Sequence, residues 1–576
     1  LPILLCCLSF VASRPIDSPA CPSALSVPCI DSLSTGILPE DLSLHEHTAN
    51  HPTQAIYPDC LELMTRKAQV TIVALSTLII YVSLNSLART IRPASFIWYA
   101  EDREEASWIA SSRSWFDRKS CRWLSICGAA HFHTAHVPFG QRESVERSET
   151  GDAEPWRSFW LGGANQTEWD AEERAKREIP DYVFDYAPLV HLYSGEQFWP
   201  GDIAEHLYHT TPMLNYTPVQ AQWDHPTLEN LDQLNQWTPR HVYLTSNDNV
   251  QTRPAWLEGG KNIPQSAKGG TEQSWADWDG RVDGQIPSDT MEDQAKWFDL
   301  GQIERDDDDT QESMQRESSQ AQKYLHHELR KRYGGKMIEE PLPNEVGGRS
   351  DAPAILLVMD KGHGVVDAFW FFFYSFNLGN TVVNVRFGNH VGDWEHCLVR
   401  FHHGQPKALF FSAHTAGEAY RYEAVEKIGQ RPVLYSAEGS HAMYATPDVH
   451  PYILPWGLLH DVTDRGPLWD PLLNKHAYTY DHANDTLRAS TATPTSPTEW
   501  FNFRGHWGDK FYPLGDSRQY RFAGQYHYVN GPLGPRFKHL NRRKVCQGSD
   551  KATCVIKDWI GEPGRIPRWG SSGPGE

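Results

Sequence analysis

Six runs of β-branched and aromatic residues follow one another at short intervals late in the chain: "AILLVM", "VVDAFWFFFYSF", "TVVNVRF", "DWEHCLVRF", "ALFFSAH" and "RPVLYSA". They carry the period-2 or wholly apolar pattern of strands rather than the 3.6-residue period of helices. The stretches between them, "DKGHG", "NLGN", "GNHVG" and "HHGQPK", are made of residues that enter tight turns. Short strands joined by short turns, with no long helix between them, favour antiparallel pairing over a parallel α/β sheet. The expected fold is mainly β: an antiparallel β-sandwich body with a few short helices, preceded by one N-terminal hydrophobic segment.

The chain has 576 residues, too many for one hydrophobic core, so folded regions joined by linkers are expected. Residues 1–63 read as an unreliable or disordered segment, 64–92 as a signal-anchor and 93–175 as a stalk without clear periodicity. The first part of the folded domain spans 176–257; it includes a helix capped by Asp202 after Pro200-Gly201, a second helix in "TLENLDQLNQ" and a strand in "HVYLTS". Residues 258–320, with "ERDDDDTQESMQRESSQ", form an acidic disordered linker. The β-rich part spans 321–560 and opens on a helix in "AQKYLHHELRKRYGG"; 561–576 is a flexible tail. A formal charge of −20 argues against nucleic acid as a partner, because phosphate contacts need basic surface.

After "MTRK", residues 68–88 contain no charge, and their length suits a bilayer-spanning helix. A basic start before an apolar run also fits a secretory signal; the reading adopted is a single-pass anchor, with membrane as a partner. Three sequons, at Asn165, Asn215 and Asn484, place the body in the lumen of the secretory or vacuolar system and make them candidate glycosylation sites. Of the ten cysteines, three lie beyond residue 128. Cys546 and Cys554 are spaced to close a small disulfide loop in an oxidising compartment, while Cys397 reads as a buried thiol.

Chemistry concentrates in "GNHVGDWEH". Alternation along a strand puts Asp393, Glu395, Cys397, Val399 and Phe401 on one face and Trp394, His396 and Leu398 on the other. Two carboxylates side by side repel each other unless a cation, a basic group or a shared proton lies between them. His390 can join them across the Gly392 turn. Oxygen-rich ligands suit Mg²⁺, Ca²⁺ or Mn²⁺ better than structural zinc. His414, in "SAHTAG", and His441, in "EGSHAMY", come close if consecutive strands are neighbours. A polar sheet rim without a ligand is the competing reading.

The motifs "GNHVGDWEHCLVRF", "SAHTAGEAY", "RPVLYSAEGSHAMYATPDVHPY", "DRGPLWDP" and "GPLGPRFKHL", with "DYVFDYAPLVHLYSGEQFWPGDIAEHL" and "HVYLTSNDNV" upstream, resemble the fungal vacuolar protein sorting-associated protein 62 family over about 180–260 and 350–546. That resemblance implies a role in protein targeting to the vacuole. The segment His390-x-x-Asp393-Trp394-Glu395 is also similar to the heptapeptide of the necrosis- and ethylene-inducing peptide-like proteins, with Gly392 where that family has a second histidine. This second resemblance implies a β-sandwich in which His390, Asp393 and Glu395 surround a divalent cation, Mg²⁺ or Ca²⁺, that engages a glycan or lipid head group. Two alternatives stand beside cation-dependent binding. One is a metal-dependent hydrolase with His414 or His441 as general base, for which no nucleophile elbow, P-loop or HExxH motif is present. The other is a non-catalytic scaffold.

Overall fold

A computed structural model describes residues 100–132, 154–163, 166–219, 225–265, 296–300 and 347–560 except 383, 453–458, 523, 550 and 559, with isolated helical positions between 73 and 87. The chain divides into units over 1–76 and 77–576, and the architecture that follows belongs to the second. It is mainly β, with few and short helices. The elements that position the site are, in chain order, helices α1 (Ala100–Ala110), α2 (Trp115–Leu124) and α3 (Ile203–Tyr208), and the strands β1 (Leu189–His191), β2 (Ala354–Asp360), β3 (Val365–Asn377), β4 (His390–His402), β5 (Gln405–Ala413), β6 (Ala416–Arg421), β7 (Arg431–Ser436), β8 (Leu468–Trp469), β9 (Lys475–Asp481), β10 (Thr486–Ala489) and β11 (Ile556–Lys557).

The main sheet has eight strands in the order β10-β9-β2-β3-β4-β5-β6-β11. From β2 to β6 every neighbour is antiparallel, joined by turns of a few residues except between β3 and β4, where the run read as the strand "TVVNVRF" forms instead a small hairpin, Thr381–Val382 with Val385–Arg386. The exceptions join distant segments: β9 lies parallel to β2, and β11 parallel to β6. A five-stranded sheet brings β7 and β1 together in parallel, with β8 antiparallel on the other side of β1.

The aromatic run of β3 is buried on both faces. Phe369, Phe371 and Phe373 join Trp394 and Leu398 of β4 in one apolar cluster, closed by Ile203 and Leu207 of α3 and by Trp500 and Trp507. Trp370, Phe372 and Tyr374 join Cys397, Val399 and Phe401 in another, closed by Val190, Leu434 and Trp469 of the five-stranded sheet. This is the alternation that period-2 reading assigns to β4, and it explains the continuous apolar sequence of β3: neither face meets water. Asp202 caps α3 by accepting from the Ala204 amide at 2.8 Å. Val242–Ser246 is a strand, while the segment read as a second helix forms only a short 3₁₀ turn, Leu231–Gln236.

Residues 93–175 contain more order than a stalk. Trp108 and Ile109 of α1 pack with Cys121, Cys127 and Leu514, and Cys121 is disulfide-bonded to Cys127. Cys546 and Cys554 form a second disulfide, and Cys397 is a buried free thiol. Of the linker read over 258–320, residues 258–265 and 296–300 are described and ordered, with Asn262 buried and Trp297 in the core; the rest of it, the segment 321–335 and the tail 561–576 lie outside the described residues, as does most of the apolar run 68–88. Among the described residues no helix is long and apolar enough to cross a membrane, so the single-pass anchor finds no support there.

Candidate functional site

Strand β4 begins earlier than its turn-like sequence suggests: His390 already pairs with Asn377 of β3. Gly392 is a kink inside the strand. Its φ is +69°, and a Cβ there would lie 1.9 Å from the Trp507 carbonyl oxygen. No histidine fits at that position, which gives a steric reason for the departure from the heptapeptide. His390 turns back on this kink, its Nδ1 2.6 Å from the Gly392 carbonyl. Burial lowers its pKa, against the pull of Asp393.

Beyond the kink, Asp393 and Glu395 share a face and are both buried. Asp393 Oδ2 accepts from Asn377 Nδ2 at 3.0 Å and meets His441 Nδ1 at 3.1 Å. Burial alone would raise the Asp393 pKa, but the hydrogen bond from His441 and the charges of His390 and His441 outweigh it and hold the carboxyl below the usual range. His441 is enclosed: its Nε2 lies 2.9 Å from the Phe198 carbonyl and 3.8 Å from Glu196 Oε1, and its ring stacks on Tyr374 at 3.7 Å. Burial opposes its charge, yet the bonds to Asp393 and Glu196 prevail and push its pKa up to about 9. Glu196 is itself fixed by the amides of Gln197, Phe198 and Gly439.

Glu395 lacks such a partner. It accepts from the Ser412 hydroxyl, which in turn accepts from the His396 amide at 2.7 Å. Burial and the neighbouring charge of Asp393 push its pKa up to about 7, although Lys538, Ser412 and His414 pull the other way. His414 stands just past β5 with its Nε2 2.7 Å from Asp461 Oδ2, and this contact raises its pKa despite burial. Asp461 also accepts from Asn380, Ser440 and Tyr444. His414 and His441 both adopt left-handed backbone conformations, φ +54° and +55°, which non-glycine residues hold only where their surroundings enforce it.

The structure therefore brings His390, Asp393, Glu395 and His441 to one end of β4, and places His414 within electrostatic reach of both carboxylates. It also supplies Glu196, Asp461, Asn377 and Ser412, which sequence reading did not single out. For the carboxylate Glu196 the sequence signal is its place inside an otherwise aromatic stretch, "GEQFW"; Asn377 and Ser412 carry none. His441 is a poor general base, with both ring nitrogens engaged and its pKa near 9. Among the described residues no three His, Cys, Asp or Glu side chains are grouped to hold a metal ion by themselves. Asp393 and Glu395 remain hard oxygen donors of the kind that suit Mg²⁺ or Ca²⁺. Of the sequon asparagines, Asn165 is outside the described residues, Asn215 is half-buried and accepts from Lys510 at 2.9 Å, and Asn484 is exposed.

Comparison with known proteins follows the same core. Residues 361–511, from the β2–β3 turn past the site, match the family model described as "Vacuolar protein sorting-associated protein 62". The Saccharomyces cerevisiae protein TDA6 is 35% identical over 412 residues, 65% of this chain and 70% of that protein. Vacuolar protein sorting-associated protein 62 of the same organism is 31% identical over 443 residues, 69% of this chain and 75% of that protein. The chain belongs to the vacuolar protein sorting-associated protein 62 family. Solved structures of Necrosis and Ethylene inducing Protein 2, from the causal agent of cocoa's Witches Broom disease, and of NLPPya in complex with mannosamine align at 18% and 13% identity. They cover 19% and 25% of this chain and 53% and 57% of their own, at a TM-score of 0.14 each, too little overlap to carry an argument.

Proposed function

We propose that this chain acts in vacuolar protein sorting as a binding protein, with a sandwich-like pairing of its two sheets presenting the Asp393–Glu395 end of β4 to a glycan or lipid head group. A divalent cation, Mg²⁺ or Ca²⁺, joins ligand oxygens to the two carboxylates. The observation that carries this reading is the asymmetry of the pair: Asp393 has an imidazolium in contact, whereas Glu395 has only a hydroxyl. His414 and Lys538 act on Glu395 only at a distance, and a cation in contact with it is what the pair would gain. Mg²⁺ is commonly held by one or two carboxylates with the remaining positions filled by water or ligand oxygens, so a small ligand set is sufficient. The body resides in the secretory or vacuolar system, its exposed sequon Asn484 carries a glycan, and residues 68–88 anchor it to the membrane.

Hydrolysis is the weaker reading, because His441 is already protonated near neutral pH with both ring nitrogens engaged, and the sequence carries no nucleophile elbow, P-loop or HExxH motif. Thermal unfolding tests the cation. Adding Mg²⁺ or Ca²⁺ to chelator-treated protein raises Tm, by a stabilisation of about 2.7 kcal/mol at one hundred times Kd. The double variant Asp393→Asn, Glu395→Gln shows no rise. A wild-type Tm indifferent to every divalent cation sinks the cation-bridged site and leaves a polar sheet rim.

A further inference from the structure

Helix α2 is built inside out. Its buried residues are Asp117, Ser120 and Cys121, whereas Trp115 and Phe116 are 66% and 68% exposed and Leu124 is 59% exposed. The polar side chains are turned inward because the local fold uses them. Asp117 accepts from the Gly128 amide at 2.6 Å, and the Ser120 hydroxyl donates to the carbonyls of Asp117 and Ile126. Ser114 caps the helix by accepting from the Asp117 amide, and the Cys121–Cys127 disulfide ties its last turn to the strand that follows. The aromatic face is thus held outward by a satisfied polar underside.

At about 100° per residue, Trp115, Phe116, Lys119, Arg122 and Trp123 fall within one arc of roughly 120°. Lys119 lies over the Trp115 ring at 6.0 Å. Lys119 and Arg122 lie within this arc; Arg118, just beside it, donates to the Ser112 carbonyl, Arg113 precedes the helix, and the only acid between 113 and 122, Asp117, is buried. On a chain of formal charge −20 this is a local reversal of sign. Exposed aromatic rings interleaved with Lys and Arg on one helical face are the composition of a segment lying in the bilayer interface, rings at headgroup level and cations on anionic lipid.

We infer that α2 rests on an anionic lipid surface on the lumenal side of the membrane, the side on which the proposed Asn484 glycan places the body, and orients the folded body against it. This contact is separate from the cation site and does not require the apolar run 68–88 to insert. The test uses the full chain with p-benzoylphenylalanine at position 116 or, as a control, at position 161, where the native leucine is 71% exposed. Irradiation takes place with phosphatidylcholine vesicles that contain or lack phosphatidylserine. Position 116 forms lipid adducts with the phosphatidylserine vesicles and position 161 does not. Lys119→Gln with Arg122→Gln lowers affinity for those vesicles about twenty-fold, from roughly fivefold per basic residue, with an unchanged melting temperature. Equal lipid adducts from both positions would mean that residues 68–88 alone bring the chain to the bilayer, and would overturn the α2 contact. So would no lipid adduct at position 116, or adducts to protein, whether another copy or a segment of the same chain. Adducts indifferent to phosphatidylserine and to both charge changes would overturn the anionic assignment.

Discussion

The two ends of β4 bury charge in opposite ways. Near its C-terminal end Arg400 faces its register partner Asp367 on β3, with Nε and Nη2 each 2.7 Å from a carboxylate oxygen and neither residue exposed. Further Arg400 donors reach the carbonyls of Trp297 and Arg543. Burial raises the Asp367 pKa, but the bidentate guanidinium more than offsets this and holds it below the usual range. At the other end two carboxylates crowd one face, one imidazolium serves Asp393, and Glu395 is left near neutrality. The same strand thus has one end where a guanidinium and a carboxylate pair bidentately, with Lys361 and Arg542 as further buried cations beside Asp367, and one end where two carboxylates share a single imidazolium in contact. Closure is what a structural pair needs; an unclosed pair is available to a ligand.

Removing one partner separates the two ends most sharply. Asp367→Ala strands Arg400 in the core and is expected to cost about 3–5 kcal/mol, the usual penalty for an uncompensated buried charge. Urea denaturation measures it. A loss below about 1 kcal/mol would mean that the carbonyl contacts alone satisfy Arg400 and that the contrast between the two ends is overstated.

Those ends were not equally legible in the sequence. The strands β2 to β5 and β7 show in their residues because period-2 alternation and turn chemistry are local signals, and alternation alone set Asp393 and Glu395 beside Cys397; β6 carries no such signal, and the run "TVVNVRF" forms only a small separate hairpin. Local signals do not reveal which distant residue completes a cluster. Glu196 reaches the site from before β2, Asp461 from the short strand His460–Val462 far beyond β5, and β9 comes to pair with β2 in parallel. The segment 100–127 escaped for another reason. With Asp117, Ser120 and Cys121 inside and Trp115 and Phe116 outside, its burial inverts the rule by which helix periodicity is read. Gly392 suggested a turn, whereas it is a kink where Trp507 crosses the strand.

Within the open end, Asp393→Asn is expected to have a smaller effect, on the order of 1–3 kcal/mol at pH 6, from loss of a charged buried hydrogen bond. His441 would keep Glu196 and the Phe198 carbonyl, so its titration midpoint should drop from about 9 toward its ordinary 6.5 without passing below it. The wild-type imidazole, with its folded pKa raised, stabilises the fold fully below 6.5 and loses that contribution as pH rises through about 9. The variant should lose it earlier. Proton chemical shifts of the His441 ring follow the midpoint directly, and a midpoint unmoved from wild type would show that Asp393 is not what charges it.

Glu395→Gln leaves stability unchanged below about pH 4.5 and gives the most informative sign above it. The folded state raises this carboxyl from 4.5 to about 7, so it holds the proton more tightly than the unfolded chain does. Stability then falls as pH rises from the unfolded value through about 7, the reverse of a salt-bridged carboxylate. Glutamine cannot ionise, so near pH 8 without metal the variant should be more stable than wild type, on the order of 3 kcal/mol, with the difference gone below about pH 4.5. Saturating Mg²⁺ or Ca²⁺ should reverse the order, because the cation stabilises the ionised wild-type pair and finds one charge fewer in the variant. Asp367→Asn allows no such reversal, since Arg400 already occupies the place a cation would take. A wild type that outlasts Glu395→Gln near pH 8 in chelator would mean that Lys538 and His414 already neutralise Glu395, and the two ends of β4 would then differ in geometry but not in kind.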